Sequence, residues 1–297
     1  MSFSHVLMAI AVAVIWGMGF IVAKSAISHF PPIFLMALRF TLTALCLIWF
    51  FRPPFALLKQ LFWLALIGST IQYSLTFNGV AGIDASTAAL VVQLEVPFGL
   101  LTAWILLGDR ITLQQSVGIA LAFVGTIIIV GEPKLQGKMI YVVMVIGGAL
   151  TWAIAQVMIK KLGVQGGFVL IAWLAALASP QLFVASWIFE KDQIEALVSA
   201  PVSIWLGVVY LGLVMTALAY AMWYYLLGLY DVNRVMPFLL LLPLSAVLGG
   251  VVFLDETLTR DILVGGALSI VGVGLITIRF DEILNPLKSG RTRDGSS

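Results

Sequence analysis

The stretch EVPFGLLTAWILLGDR, residues 95–110, aligns with LLPLSAVLGGVVFLDE, residues 241–256, when the chain is compared with itself. The alignment matches Pro97 with Pro243, and each of the two stretches reaches an aspartate near its end. A shared proline and a shared acidic end, at the same spacing, indicate that the two halves of the chain are related.

A second match lies near the start of each half. IWGMGFIVAK, residues 15–24, aligns with TWAIAQVMIK, residues 151–160, so Trp16 corresponds to Trp152. Small residues also recur at i, i+4 and i+7, and such faces allow close helix packing, either within one chain or in a homodimer. They are Gly118, Ala122 and Gly125 in the first half and Gly265, Ser269 and Gly272 in the second.

The composition is that of a membrane protein. Of 297 residues, 62% are hydrophobic and 10% are charged, whereas soluble domains are about 45–50% apolar and about 25% charged. A bilayer core about 30 Å thick needs roughly 20 apolar residues per helix. Cutting the sequence at charges, prolines and glycines predicts an all-α integral membrane protein with ten spans. They are 5–24, 32–51, 61–79, 87–107, 112–130, 138–159, 167–188, 203–226, 234–254 and 261–279.

The repeat and the spans together predict the domain organisation. The first five-helix repeat covers residues 1–131, the second covers 132–280, and a polar tail covers 281–297. Because five is odd, the second repeat enters the membrane in the opposite orientation, and inverted repeats are typical of secondary transporters. Ten Lys and Arg residues fall on the side of the termini and five on the other, which predicts that both termini are cytoplasmic.

Several function classes lack support in this sequence. The net charge is +2 without a basic patch, so no nucleic-acid partner is expected. Cys46 is the single cysteine, which rules out an intrachain disulfide and a multi-cysteine zinc site. There is no nucleotide-binding or hydrolase motif, so we expect neither a cofactor nor an enzyme. A channel would need a continuous polar lining and a receptor a soluble effector segment, and the sequence offers neither.

The longest motifs resemble a known family. LEVPFGLLTAWILLGDRIT at 94–112 and PLSAVLGGVVFLDETLT at 243–259 are similar to those of the EamA-like branch of the drug/metabolite transporter superfamily. The resemblance implies an alternating-access carrier in a bacterial-type inner membrane, similar to exporters of aromatic amino acids and of threonine or homoserine. Asp109 stands where that family usually has glutamate, and Leu241 is the uncharged counterpart of Glu95.

Two charged residues fall well inside the predicted spans, Arg39 and Glu95. Ionisable groups at that depth are costly and are functional candidates by default. Each lies about 10–12 Å below the same membrane surface at 1.5 Å per residue, so the two can meet. We expect either a switchable ion pair, with Glu95 binding a substrate amine or a proton, or a permanent packing contact.

Aromatic and amide side chains within the spans predict a small-molecule site, because such sites are apolar with a few orienting polar groups. Trp16 and Trp152 are expected on opposite walls of one central cavity, and helix–helix hydrogen bonding is the alternative for the amides. Pro97 and Pro243 are expected to bend their helices and to serve as hinges. The candidate substrate-binding residues are Trp16, Gln72, Phe77, Asn78, Gln93, Trp152, Gln156, Tyr220, Trp223 and Tyr224.

These patterns predict a secondary transporter that exports amino acids or similar small metabolites between two inverted halves. The main alternative is a proton-coupled antiporter of a non-amino-acid solute, and an integral membrane enzyme is a weaker one. Energy coupling stays open between facilitated export and proton antiport. The expected partners are a small-molecule substrate and the lipid bilayer, and the chain is expected to act as a monomer or a homodimer.

Overall fold

The computed structural model describes residues 1–162, 167–230 and 232–278, and every regular element in those ranges is helical. Ten helical segments there are long and apolar enough to cross a membrane, which confirms the predicted fold. They are α1 (Phe3–Ile27), α2 (Pro32–Phe50), α3 (Phe55–Gly82), α4 (Ala85–Leu107), α5 (Leu113–Val130), α6 (Met139–Leu162), α7 (Gly167–Phe189), α8 (Val202–Leu229), α9 (Met236–Leu254) and α10 (Arg260–Thr277). The predicted tail, 281–297, lies outside the described residues.

Successive spans cross in opposite directions, so the bundle has two faces. We call the face where α1 begins and α10 ends the terminal face, and the face where α1 ends the Lys24 face. The largest difference from the predicted boundaries is the start of α3, predicted at Leu61 and observed at Phe55. Lys59 was taken to lie outside the membrane, but a lysine near a helix end can extend its ammonium to the interface.

The helix pairs are related by exchanging the two halves. α1 packs along α9, and α6 packs along α4. In the same way α1 packs against α8, and α6 packs against α3. Two further pairs, α2 with α7 and α5 with α10, map onto themselves. The duplication read from the sequence therefore matches the way in which the helices pack.

The small-residue faces pack against each other within the monomer, where α5 meets α10. A Cβ atom added to Gly125 would contact the Gly265 carbonyl and lie 2.6 Å from the Ser269 nitrogen. A Cβ atom added to Gly272 would lie 2.6 Å from the Gly118 carbonyl. The two backbones approach too closely for larger side chains, which is how small residues allow transmembrane helices to associate.

Some departures from regular α-helix come in repeat-related pairs. α3 contains a π-helical segment at Leu66–Ile71, and α8 contains one at Tyr210–Leu218. Segments of this kind occur often at functional sites. In α8 the segment offers carbonyl groups to neighbouring helices, because Thr43 of α2 donates a hydrogen bond to the Gly212 carbonyl at 2.9 Å.

The other pair of departures precedes the two prolines. In α4 the regular helix is interrupted between Val92 and Glu95, and the N–H of Val96 bonds the Gln93 carbonyl at 3.2 Å. Pro97 has no N–H to offer that carbonyl. α9 begins with a 3₁₀ turn, Met236–Leu240, and Pro243 is the third residue of the helix that follows.

Candidate functional site

The guanidinium group of Arg39 lies inside the bundle on α2, and the residue is only 1% exposed. Its Nε donates a hydrogen bond to the Thr216 hydroxyl on α8 at 2.9 Å. Its central carbon lies 4.9 Å from the ring centre of Tyr73 on α3. A buried cation over an aromatic face is attracted by the ring quadrupole. The charge is thus held by α3 and α8, and no carboxylate of the described residues forms an ion pair with it.

Glu95 is the first residue of the second part of α4 and is partly accessible. No cation of the described residues pairs with it, since the two ion pairs found there are Lys134–Asp84 and Lys160–Asp109. The expected contact between Arg39 and Glu95 is therefore not formed, because the arginine is directed to α8 and Tyr73 instead.

Trp16 joins α1 to α8 beside these charges. Its indole N–H donates to the carbonyl of Met215, in the π-helical segment, at 3.0 Å. Its ring centre lies 5.0 Å from that of Tyr220 and 5.6 Å from that of Trp223. Tyr224 stacks on Tyr220 at 6.0 Å. Trp16, Tyr220, Trp223 and Tyr224 thus form one aromatic group, in which Trp223 is 6% exposed and the other three rings are partly exposed.

A second aromatic group comes from α3. Tyr73 and Phe77 stack almost in parallel at 5.7 Å, and Phe40 of α2 meets Tyr73 edge-on at 4.9 Å. Phe77 also stacks on Phe20 of α1 at 6.3 Å. Phe77 was predicted from the sequence as a substrate-binding residue, but Tyr73, whose ring contacts the Arg39 guanidinium, was not. An aromatic residue one helical turn before Phe77 was the available signal.

Two amide side chains of α3 form hydrogen bonds within their own helix. Gln72 is buried and donates to the Thr76 hydroxyl at 3.1 Å, and both residues pack against Gly148 of α6. Asn78 donates to the Ser74 carbonyl at 2.8 Å. Gln72 thus lies beside the packing contact between α3 and α6, but its side-chain hydrogen bond does not cross between the helices.

The two repeat-related tryptophans have different surroundings. The residues of α3 that correspond to the α8 partners of Trp16 are Ser69, Ser74 and Phe77, so two of the three are small. Trp152 is partly exposed on α6, as are Gln156 on the same helix and Gln93 on α4. The aromatic lining is consequently concentrated on the α1–α8 side.

A cavity of about 570 Å³ opens at the Lys24 face. It is lined by residues from the end of α1, the start of α2 and the loop after α7, including Lys24, His29 and Lys191. Its lining does not include Arg39, Glu95 or Trp16, so it is distinct from the charged and aromatic centre.

Charged side chains bind helix ends at the Lys24 face. Lys24 donates to the carbonyls of Val80, Ala81 and Ile83, at the end of α3, at 2.7, 3.0 and 2.9 Å. Glu256 accepts hydrogen bonds from the first N–H groups of α4, that of Ala85 at 2.6 Å among them. Cations suit helix C-termini and anions suit N-termini, so both contacts hold this face together.

Glu190 caps α2 at the same face, accepting from the N–H groups of Ile33 and Phe34 at 2.7 and 2.9 Å. Burial raises the pKa of this carboxyl above its usual 4.5, although hydrogen bonds from the two N–H groups and from Ser186 oppose the shift.

The sequence profile of the EamA-like transporter family matches this chain twice, at residues 3–131 and 139–278. A "Probable amino-acid metabolite efflux pump" of Escherichia coli (strain K12) is 31% identical over 92% of this chain and 94% of its own length. A "Probable terminal-alkyne amino-acid exporter" of Streptantibioticus cattleyicolor is 29% identical over 73% of each chain. A solved structure at 18% identity shares the fold, with a TM-score of 0.63 over 93% of this chain and 96% of that one.

The double match covers most of the sequence and assigns each half to the same family. The chain is a multi-pass inner membrane protein that exports small molecules, and it is a transporter, not an enzyme. Its folded halves, its repeat and its relatives agree that it belongs to the EamA-like transporter family, in the drug/metabolite transporter superfamily.

Proposed function

We propose that this transporter exports neutral amino acids, or metabolites with the same two charged groups, by alternating access. The observation that carries the proposal is the pair of opposite charges, Arg39 and Glu95, which do not neutralise each other inside the bundle. Unpaired charges at such a depth are costly. A zwitterion satisfies both, and two curated relatives bear names that refer to amino-acid export.

Each part of an amino acid has a chemically suitable partner. The partly accessible Glu95 carboxylate suits the substrate ammonium group. The substrate carboxylate suits the Arg39 guanidinium. Trp16, Tyr224 and the rings of α3 offer an apolar surface for the substrate side chain, in keeping with small-molecule sites generally.

Alternation between two states follows from the proposed inverted repeat. In this arrangement the substrate site lies between the halves, and one half rocks against the other. The interruptions before Pro97 and Pro243 are suitable hinges, since the regular series of helical backbone hydrogen bonds is already interrupted there. Both termini are cytoplasmic in this proposal, which makes the Lys24 face external.

Counterflow in proteoliposomes tests the substrate assignment. Vesicles are loaded with unlabelled phenylalanine, leucine or threonine, and uptake of the labelled amino acid is followed for the parent, Glu95→Gln and Arg39→Gln. Removing one partner of a desolvated charged contact typically costs at least about 2 kcal/mol, so both variants should lose about tenfold or more of the flux. Asp255→Asn, which changes the charge by the same amount as Glu95→Gln at the Lys24 face, should retain it.

Substrate analogues separate the two charge assignments. The amino-acid amide lacks the carboxylate and the 2-hydroxy acid lacks the ammonium group, and the parent should reject both. Glu95→Gln should discriminate less against the hydroxy acid, and Arg39→Gln less against the amide. An absence of flux for every amino acid in the parent, with well-folded protein, would overturn the proposal.

Proton antiport of another solute is the second candidate, and the unpaired Glu95 carboxylate favours it. If Glu95 carries protons, an imposed pH gradient drives flux in the parent and has no effect in Glu95→Gln. Flux that is indifferent to the gradient in both proteins means facilitated export.

A further inference from the structure

Lys24 closes one face of the bundle through three hydrogen bonds. An ammonium group has three donors and no acceptor, and all three donors of Lys24 reach carbonyls at the end of α3. These carbonyls are the ones that a helix leaves without internal partners at its C-terminus. The carboxylates of Asp84 and Glu256, at the same face, interact electrostatically with the Lys24 ammonium group.

The repeat gives Lys24 a counterpart in Lys160, at the same position of TWAIAQVMIK. By the same relation the end of α3 corresponds to the end of α8. The end of α3 lies at the Lys24 face with Lys24, and the end of α8 lies at the terminal face with Lys160. Lys160 does not bind the last turn of α8, however. Its side chain is 62% exposed and pairs with Asp109, itself 48% exposed, at 2.9 Å.

Helix packing shows the same asymmetry. Besides its repeat-related partners α8 and α9, α1 packs against α3 and the first part of α4. Its counterpart α6 packs against α3 and α4, and among the described residues it makes no comparable contact with α8 or α9. The contacts that α1 makes with the end of α3 and the start of α4 at the Lys24 face thus have no comparable counterpart between α6 and the end of α8 or the start of α9 among the described residues.

We propose that Lys24 and Lys160 are two alternately engaged latches. In the present state Lys24 holds the end of α3, and the terminal face is open. In the opposite state Lys24 is released, and Lys160 leaves Asp109 and donates to the last-turn carbonyls of α8, around Leu226 to Leu229. An exposed ion pair such as Lys160–Asp109 contributes at most about 1 kcal/mol, so it is readily exchanged. The proposal rests on alternating access but not on the nature of the substrate.

Accessibility of two matched cysteines tests the latches in nanodiscs without substrate. Gly99 lies one turn beyond Glu95, and a Cβ atom there meets nothing within 4 Å, so Gly99→Cys reports opening at the terminal face. Its repeat counterpart, Ser245, is 9% exposed beside Gly17, so Ser245→Cys reports opening at the Lys24 face. Each is placed in a Cys46→Ser background and labelled with a water-soluble maleimide.

The two lysine substitutions should act in opposite directions. Lys24→Gln should slow labelling of Gly99→Cys and speed labelling of Ser245→Cys. Lys160→Gln should leave labelling of Gly99→Cys as fast as in the parent or faster, and should slow labelling of Ser245→Cys. We expect a change of about tenfold in the ratio of the two rates, which corresponds to about 1.4 kcal/mol.

Exposed lysines serve as controls, Lys191→Gln at the Lys24 face and Lys161→Gln at the terminal face, and neither should change the ratio. If Lys24→Gln fails to fold, the labelling rates of the Lys160→Gln variant still test the proposal, because Lys160 is exposed. The latch proposal would be refuted if both lysine substitutions changed the ratio of labelling rates equally and in the same direction. It would also be refuted if Lys160→Gln left that ratio unchanged. Loss of flux with correct latch responses would instead count against the substrate proposal alone.

Discussion

The contact between α5 and α10 is tight enough that a single methyl group should disturb it. In Gly125→Ala the new Cβ atom meets the Gly265 carbonyl and lies 2.5 and 2.6 Å from the hydroxyl oxygen and nitrogen of Ser269. Two of these neighbours are backbone atoms that cannot rotate away. Such overpacking costs about 1–3 kcal/mol, of which the better helix propensity of alanine returns at most about 1 kcal/mol.

Gly99→Ala is the matched control, because it makes the same chemical change in a helix where the new Cβ atom meets nothing within 4 Å. For proteins of comparable size, each 1 kcal/mol shifts Tm by about 2–4 °C. Gly125→Ala should therefore lower Tm by several degrees in detergent, while Gly99→Ala leaves Tm unchanged or raises it slightly.

Light scattering on the same samples distinguishes packing within the monomer from packing between monomers. Equal Tm values for the two variants would refute the tight α5–α10 contact. A Gly125→Ala protein that changes oligomeric state but keeps its Tm would move these glycine faces to a dimer interface.

Three further predictions concern the charged helix ends. Burial raises the pKa of Glu190 above its usual 4.5, so the folded protein binds this proton more tightly than the unfolded chain. The resulting stabilisation is fully present below pH 4.5 and is lost as pH rises through the raised pKa. The Tm of the parent minus that of Glu190→Gln should therefore fall as pH rises from 4.5 through the raised pKa. Glu256→Gln keeps an acceptor for the first N–H groups of α4 but loses the charge, and should lower stability by about 1 kcal/mol, measured as Tm against the parent. Asp109→Asn breaks only the exposed pair with Lys160 and should change Tm by less than about 2 °C; a larger drop would mean that this pair holds the fold.

The number and order of the helices were predictable because membrane spans need long apolar runs and because the duplication repeats them. The same reasoning placed the α5 and α10 faces correctly as packing surfaces, since glycines at i, i+4 and i+7 permit close approach. Ends were less certain where a lysine such as Lys59 belongs to the helix. The interruption before Pro97 was signalled by the proline, but the π-helical segments were not foreseen.

The rotation of each helix about its axis was the harder question. In a membrane, lipid and core are both apolar, so hydrophobicity does not tell which face points inward. Gln72 was expected at the substrate site, and the structure shows that it also lies beside the packing contact with Gly148 of α6. Tyr73 was missed for the same reason. Arg39 is buried inside the bundle, but its contacts with Thr216 and Tyr73, in place of Glu95, could not be predicted from the sequence.

The carboxylate of Glu256 gives the duplication an energetic consequence. A carrier made of two identical inverted halves would have two end states related by a two-fold axis. The two states would have equal free energy, and neither would be preferred at rest. Glu256 caps α4 at the Lys24 face, but its repeat counterpart is Arg110, whose side chain has no acceptor and cannot cap a helix N-terminus. The backbone duplication is thus kept while the charge at this position is reversed. In the proposed alternating-access cycle, this is one of the differences between the halves that favour the state closed at the Lys24 face.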